Sequence, residues 1–395
     1  MMEIQIKEHL FVDRVIRLTY FTIALLIRPF VKVKHNRIIC WSYNFSKYAC
    51  NPRVITEYIL NNEYENFEIY WAFKGNAITS EVHEGIKVLN KDSFRYLIIL
   101  YSSRFIINNM RNDYMESYFI KKHTQKYIMT WHASMSLKKI EKDAESQLGK
   151  HYVGRAKSDS SMCDLMLSGC RFHSLLFKNS FWYKGEILEK GTPRCDVLFK
   201  DPSNIRKELF DLYGIKQNVG IILYAPTFRR DYNLDNYKLE WFNIITELKK
   251  KESRDYVVFI RLHPNFLFHR NIDIKKYMRE NVFDVTSYPE MQNLLLVSDY
   301  LVTDYSSSMF DFSLLGKPCF IYAKDYMNYD RGFYFKLNEL PFPIATDDQR
   351  LLDNIINFDS EKYKNDVELF YKNEVGNYEK GEACKSLVTW LKNNK

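Results

Sequence analysis

The stretch Tyr300-Leu301-Val302-Thr303-Asp304-Tyr305-Ser306-Ser307-Ser308-Met309-Phe310-Asp311-Phe312-Ser313-Leu314-Leu315-Gly316 decides the fold class. Its first three residues are an apolar run that reads as a buried strand, and polar residues begin where that strand ends. The serines then cap an apolar helix that Gly316 stops. A strand turning into a helix in this way puts polar groups at the carboxyl end of a parallel sheet, where open α/β folds hold ligands. Arg261-Leu262-His263-Pro264 repeats the pattern after Tyr256–Ile260. Thr130-Trp131-His132, followed by Leu137-Lys138-Lys139-Ile140, repeats it after Tyr127-Ile128-Met129. Two histidines at strand ends far apart in the chain predict a cleft between two domains.

Outward from these turns the alternation continues. Short apolar runs rich in β-branched and aromatic residues occur at 38–41, 67–73, 105–107, 127–131, 165–167 and 187–188, separated by longer mixed segments. The rhythm restarts at Gly220-Ile221-Ile222-Leu223-Tyr224 and continues through 256–260, 282–285, 300–302 and 319–322. Strands alternating with helices imply parallel sheets. Between the halves, Lys200-Asp201-Pro202-Ser203-Asn204 marks a boundary. The expected architecture is α/β with two Rossmann-like domains, 35–203 and 204–395, preceded by a segment 1–34. Ser287-Tyr288-Pro289-Glu290 predicts a Ser-capped helix start with Pro in the first turn, leading into Met291–Val297.

Length and composition agree with two cores, since 395 residues are too many for one ordinary domain and 46% are hydrophobic. Lys and Arg exceed Asp and Glu by 57 − 49 = 8, which favours an anionic partner. The seven cysteines lack paired C-x-x-C spacing, so neither a zinc site nor a disulfide framework is expected. There is no Gly-x-Gly-x-x-Gly and no Asp-x-Asp, which argues against a dinucleotide site and a metal-bound nucleotide-sugar site. Gly149 to Arg155 imitates a phosphate loop but has Arg where Lys is needed. His123, His151 and His173 lack ligand spacing and are expected on the surface.

The segment 10–33 is the one candidate for membrane contact. Its longest uncharged run, Leu18–Ile27, is ten residues, whereas a spanning helix needs about 20. No small-residue cleavage site follows it. With Arg14, Arg17, Arg28, Lys32, Lys34 and Arg37 around apolar residues, it reads either as an amphipathic helix on an acidic leaflet or as an ordinary buried helix with charged ends.

The strand-end residues have chemistry to offer. Ser306, Ser307 and Ser308 could hold a phosphate through hydroxyls and free N–H groups, or simply cap the helix. Asp304 could bind a ribose or polyol hydroxyl, fix a cation such as Arg261, or serve the turn. Arg261 and His263 alternate around Leu262 and leave the same face, a pairing suited to a diphosphate that sheds negative charge. His132 could take a proton from an attacking hydroxyl while Lys138 holds the anion, or it could be a buried histidine at a helix start.

Six blocks in order carry a resemblance: Trp131-His132 with Leu137-Lys138-Lys139-Ile140, Gly185-Glu186-Ile187-Leu188 with Gly191-Thr192-Pro193-Arg194, Tyr224-Ala225-Pro226-Thr227-Phe228-Arg229, Arg261-Leu262-His263-Pro264, Thr303-Asp304-Tyr305-Ser306-Ser307, and Arg331-Gly332-Phe333-Tyr334-Phe335. Together they resemble the CDP-glycerol glycerophosphotransferase family, which builds teichoic acids and related phosphopolymers. The resemblance implies a GT-B-like fold, with the CDP-polyol held by the C-terminal domain and the acceptor reached from the N-terminal domain. The implied reaction is attack of an acceptor hydroxyl on the β-phosphorus of CDP-glycerol or CDP-ribitol, with CMP leaving. The acceptor would be a lipid-linked polyprenyl diphosphate saccharide or growing polymer, at the cytoplasmic face of an acidic membrane. No cofactor, metal or nucleic acid is implied.

Carried over by resemblance, His132 is the general base. Arg261 and the second catalytic residue His263 face the pyrophosphate, while Thr303, Asp304, Ser306 and Ser307 bind phosphate and polyol. Lys138, Arg229 and Arg331 are further substrate-binding candidates. One stretch departs from the family: where it reads Trp-His-Gly-Thr-Pro-Leu-Lys, this chain has Trp131-His132-Ala133-Ser134-Met135-Ser136-Leu137-Lys138. That change bears on the acceptor more than on the donor. The rival expectations are a GT-B glycosyltransferase using a nucleotide sugar and a non-catalytic basic protein.

Overall fold

In the computed structural model, residues 19, 21–62, 67–75, 81–112, 119–216, 218–229, 237–263, 280–326 and 332–395 are described. They form two parallel sheets. The first contains β1 (Lys34–Cys40), β2 (Glu68–Phe73), β3 (Lys87–Asn90), β4 (Ser103–Asn108), β5 (Lys126–Met129), β6 (Leu165–Leu167) and β7 (Glu186–Leu188), in the order β3-β2-β1-β4-β5-β6-β7. The second contains β8 (Gly220–Ala225), β9 (Tyr256–Ile260), β10 (Val282–Asp284), β11 (Tyr300–Thr303), β12 (Cys319–Tyr322) and β13 (Ile344–Ala345), in the order β10-β9-β8-β11-β12-β13. In both sheets the strand order reverses beside the first strand, between β1 and β4 and between β8 and β11, while the strands stay parallel. Such switch points open a crevice at the carboxyl ends of the strands.

The strands are apolar throughout because both faces are covered. In β8, Ile221, Leu223 and Ala225 join one core while Ile222 and Tyr224 join the other, as a two-residue side-chain period requires. β1 divides likewise, Ile39 to one side and Ile38 and Cys40 to the other. All seven cysteines are buried free thiols.

Several links stitch the domains together, two of them through the main chain and the last helix. Lys138 pairs antiparallel with Phe333, flanked by Lys139 N–H to Gly332 O and Tyr334 N–H to Leu137 O, both 2.8 Å. The last helix (Ala383–Asn393), which sequence order puts in the second domain, returns to the first. Its Leu387, Val388 and Leu391 pack with Ile38, Ile55 and Ile107, and Asp196 caps it by accepting from the N–H groups of Ala383 and Cys384.

Near the N-terminus, residues 21–27 are helical. Ala24, Ile23, Ile27 and Val31 pack against the first-domain core, while Leu26 and Phe30 are 66% and 86% exposed. Arg14 and Arg17 lie outside the described residues. Among the described residues no helix is long and apolar enough to cross a membrane.

Candidate active site at the facing strand ends

On the first-domain side, β5 runs into Thr130, whose N–H and hydroxyl both reach Asn108 O. Trp131 then takes a left-handed backbone with φ of 53°, a conformation that bulky residues avoid. Two features hold it there. Its ring packs edge-on against Phe181, and Asn51 Nδ2 donates to the carbonyls of Thr130 and Trp131. This bend sets the course of the chain into His132.

His132 Nδ1 lies 3.0 Å from Asn109 O. A carbonyl only accepts, so Nδ1 carries the hydrogen and Nε2 holds the lone pair. Burial lowers the imidazole pKa to about 4, with the Asn109 carbonyl opposing and the Arg194 charge assisting. The ring is therefore neutral near pH 7, the form a general base needs. Asn109 also accepts from Tyr43 N–H through Oδ1 at 3.0 Å, and the Tyr43 and His132 rings are 6.4 Å apart.

Tyr43 begins a turn after β1 in which Tyr43, Asn44 and Phe45 all have positive φ, closed by Ser42 Oγ donating to Lys47 O at 2.6 Å. The turn presents Lys47, which the sequence motifs do not single out. The Lys47 pKa is lowered by burial and by the Arg261 charge across the cleft, with Glu290 opposing. His263 is lowered by burial and then by Lys47 and Lys138. Cations from both domains thus lie within electrostatic reach of one another.

On the second-domain side, Leu262 is buried at the end of β9 and Arg261 and His263 flank it, as the alternation predicts. Arg261 donates to Tyr288 O at 2.6 Å and reaches Pro289 O at 3.5 Å. The helix Met291–Val297 begins later than expected, with Glu290 at its N-cap, and so these two carbonyls remain available to aim the guanidinium. The His263 ring sits 5.5 Å from that of Phe228. Pro264 and Arg331 lie outside the described residues.

The turn after β11 engages three of the expected substrate ligands within the protein. Thr303 is fully buried and donates to Ala225 O at 2.7 Å. Asp304 is also buried. Its Oδ1 accepts from the N–H groups of Thr227 and Tyr305, and its Oδ2 pairs with Arg229 at 2.8 Å. It therefore fixes Arg229, not Arg261. Arg229 in turn donates to Asp325 through Nε and NH2, and to Thr227 O and Oγ1 through NH1. A guanidinium has five N–H donors, and these bonds with Asp304 use them all. Thr303, Asp304 and Arg229 hold the turn together from beneath, leaving Ser306 and Ser307, both partly exposed, at its surface. Ser306 Oγ is 2.8 Å from Ser308 Oγ. The helix Ser308–Ser313 follows, and Gly316, with φ of 65°, closes the last turn.

His173, expected on the surface, is fully buried. Its Nδ1 lies 3.0 Å from Ser134 O and its ring is 4.5 Å from that of Phe177. The stripe His173, Ser174, Phe177, Ser180 at helical spacing is the signal that could have revealed it. His123 and His151 are exposed. Among the described residues no group of His, Cys, Asp and Glu is placed to hold a metal ion.

The teichoic acid poly(glycerol phosphate) polymerase of Staphylococcus epidermidis is 31% identical over 86% of this chain and 48% of that protein. The polymerase of the same description from Bacillus spizizenii is 27% identical over 90% of this chain and 91% of its own length. The chain thus spans about half the length of the first relative and nearly all of the second. A solved structure of a variant of the wall teichoic acid polymerase TagF soaked with CDPG superposes with a TM-score of 0.82 at 26% identity, covering 99% of this chain and 97% of that one. Residues 21–392 match the profile of one family, and the chain belongs to it: CDP-glycerol:poly(glycerophosphate) glycerophosphotransferase.

Proposed function

We propose that the protein transfers glycerol phosphate from CDP-glycerol to a lipid-linked polyprenyl diphosphate saccharide or a growing teichoic acid or capsular polymer, releasing CMP. The observation that carries this reading is a neutral His132, with its lone pair on Nε2, beside Tyr43, which interacts electrostatically with Arg261 of the other domain, while Lys47 and Lys138 act on His263 there. The acceptor hydroxyl oxygen attacks the β-phosphorus of the donor and its proton passes to Nε2. The bond from that phosphorus to the bridging oxygen breaks, and the electron pair leaves with CMP. Negative charge builds on the departing phosphate, where Arg261, Lys47, Lys138 and a ring N–H of His263 stabilise it. Ser306 and Ser307 hold the donor from the second domain.

The test is incubation of the protein with CDP-glycerol, CDP-ribitol and nucleotide sugars in turn, together with a lipid-linked acceptor, followed by product masses. CMP release and a glycerol phosphate increment are expected. Release of a nucleoside diphosphate from a nucleotide sugar, or turnover with CDP-ribitol alone, overturns the donor assignment.

A lipid-linked acceptor puts the reaction at the cytoplasmic face of the membrane. Leu26 and Phe30, exposed beside Arg28, Lys32 and Lys34, match an acidic lipid surface. The full chain should sediment with anionic vesicles, and the double variant Leu26→Glu, Phe30→Glu should not. Equal sedimentation of the two removes this surface from the reading.

A further inference from the structure

Behind the Ser306–Ser308 turn, the helix Ser308–Ser313 turns one carboxylate inward. Asp311 is fully buried. Its hydrogen bonds to Arg194, Ser134, Gln292 and Cys195 all leave its own helix. Oδ2 pairs with Arg194 NH2 and accepts from Gln292 Nε2 at 3.1 Å, while Oδ1 accepts from Ser134 Oγ and lies 3.7 Å from Cys195 Sγ.

Two of these partners tie into the His132 segment. Arg194 NH1 donates to His132 O at 2.6 Å, and Ser134 is two residues further on. Arg194 is itself placed by its N–H donating to Asn51 Oδ1 at 2.8 Å, and Ser134 O receives His173 Nδ1. The His132 ring is tied at its other side to Asn109 O. Imidazole direction is thus set by one tie to the ring and one to the main chain, and the second ends on a carboxylate of the opposite domain.

A buried ion pair adds little net stability over apolar packing, and its best-attested use is to fix register. We propose that Asp311 is a positioning residue: through Arg194 and Ser134 it locks the His132 main chain to the helix beneath the donor turn, so that Nε2 meets the acceptor hydroxyl. The inference rests on His132 being the base. A misplacement of about 1 Å at such a group can lower the rate by about 10²-fold.

The experiment measures steady-state transfer from CDP-glycerol by Asp311→Asn, Ser134→Ala and His132→Ala, and by each of the first two combined with His132→Ala. Asp311→Asn should lower kcat on the order of 10²-fold with the donor KM within about twofold of the parent. Ser134→Ala keeps the ion pair and removes a single tie, so it folds even where Asp311→Asn does not. Its kcat should fall about fivefold. In the His132→Ala background neither change should slow the residual rate further, because both act through the imidazole. Additive losses in that background, or a raised donor KM with unchanged kcat, would falsify the positioning role. Full activity of His132→Ala would instead remove the base assignment, and the proposal with it. An inactive His132→Ala beside fully active Asp311→Asn and Ser134→Ala would remove the positioning role alone.

Discussion

The turn after β5 and the turn after β11 look alike as sequence, each a threonine at a strand end followed by polar and aromatic residues, yet they place their functional groups oppositely. After β5 the ties fall mainly on the main chain: Asn51 and Arg194 hold carbonyls, and the His132 ring is tied through Nδ1, with Nε2 left as the acceptor. After β11 the side chains themselves are the ties, with Thr303 on Ala225 and Asp304 on Thr227 and Arg229. A polar residue at a strand end thus either holds the loop or faces the ligand, and its neighbours in space decide which. On the proposed function the first turn contributes chemistry, whereas the second contributes a platform that leaves Ser306 and Ser307 at its surface.

The sharpest break of this comparison is His132→Ala. Transfer should fall on the order of 10³-fold, within the usual range for loss of a general base, while calorimetry shows CDP-glycerol still bound. Asp304→Asn tests the opposite side. It leaves the Arg229 guanidinium short of a buried counter-charge, and about 3 kcal/mol of stability should be lost in denaturant unfolding. Normal stability with donor binding abolished would make Asp304 a ligand and erase the contrast between the turns.

The setting of the first turn can be probed through pH. Glu379 accepts from Thr192 N–H and Oγ1, two residues before Arg194. Burial raises its carboxyl pKa to about 8, with the Thr192 hydrogen bonds opposing and Asp311 and Asp196 assisting. The folded chain then holds a proton that the unfolded chain releases above its ordinary value near 4.5. This contribution is complete below about pH 4.5 and is lost as pH rises through about 8. Glu379→Gln lacks that titration, so its stability relative to the parent should rise by roughly 2–3 kcal/mol from pH 5 to pH 7. A pH-independent difference between the two unfolding curves would show the carboxylate already ionised.

The architecture was legible because a parallel strand covered on both faces has to be apolar at every position, as Ile221-Ile222-Leu223 is. β3 was not, since Lys87 and Asn90 interrupt its pattern, and β13 is only two residues long. The stripe Leu387, Val388, Leu391 shows that the last helix buries a face, but not which domain receives it. The strand-end positions of His132, Arg261 and His263 were legible because position relative to a strand end is local information. The Arg229–Asp304 pair spans 75 residues of sequence, and no local pattern separates a strut from a ligand. Lys47 was missed for the same reason. It sits in an ordinary loop and acquires meaning only from the cations opposite.

Those cations supply the smallest and most discriminating test. Lys47 and Lys138 come from the first domain and Arg261 from the second, with the His263 imidazole beside them, and like charges held this close repel one another. A bound diphosphate turns that repulsion into attraction, so each cation should matter more to donor affinity than to stability. Lys47→Ala should raise the donor KM about tenfold, a loss of roughly 1.4 kcal/mol, with little change in unfolding. Because the Lys47 charge helps hold the His263 pKa down, the same change should move the His263 titration upward, measurable by NMR of the imidazole. A shifted titration with an unchanged KM would mean that Lys47 feels the cluster but never meets the donor, and the first domain's share in gripping the diphosphate would fall to Lys138.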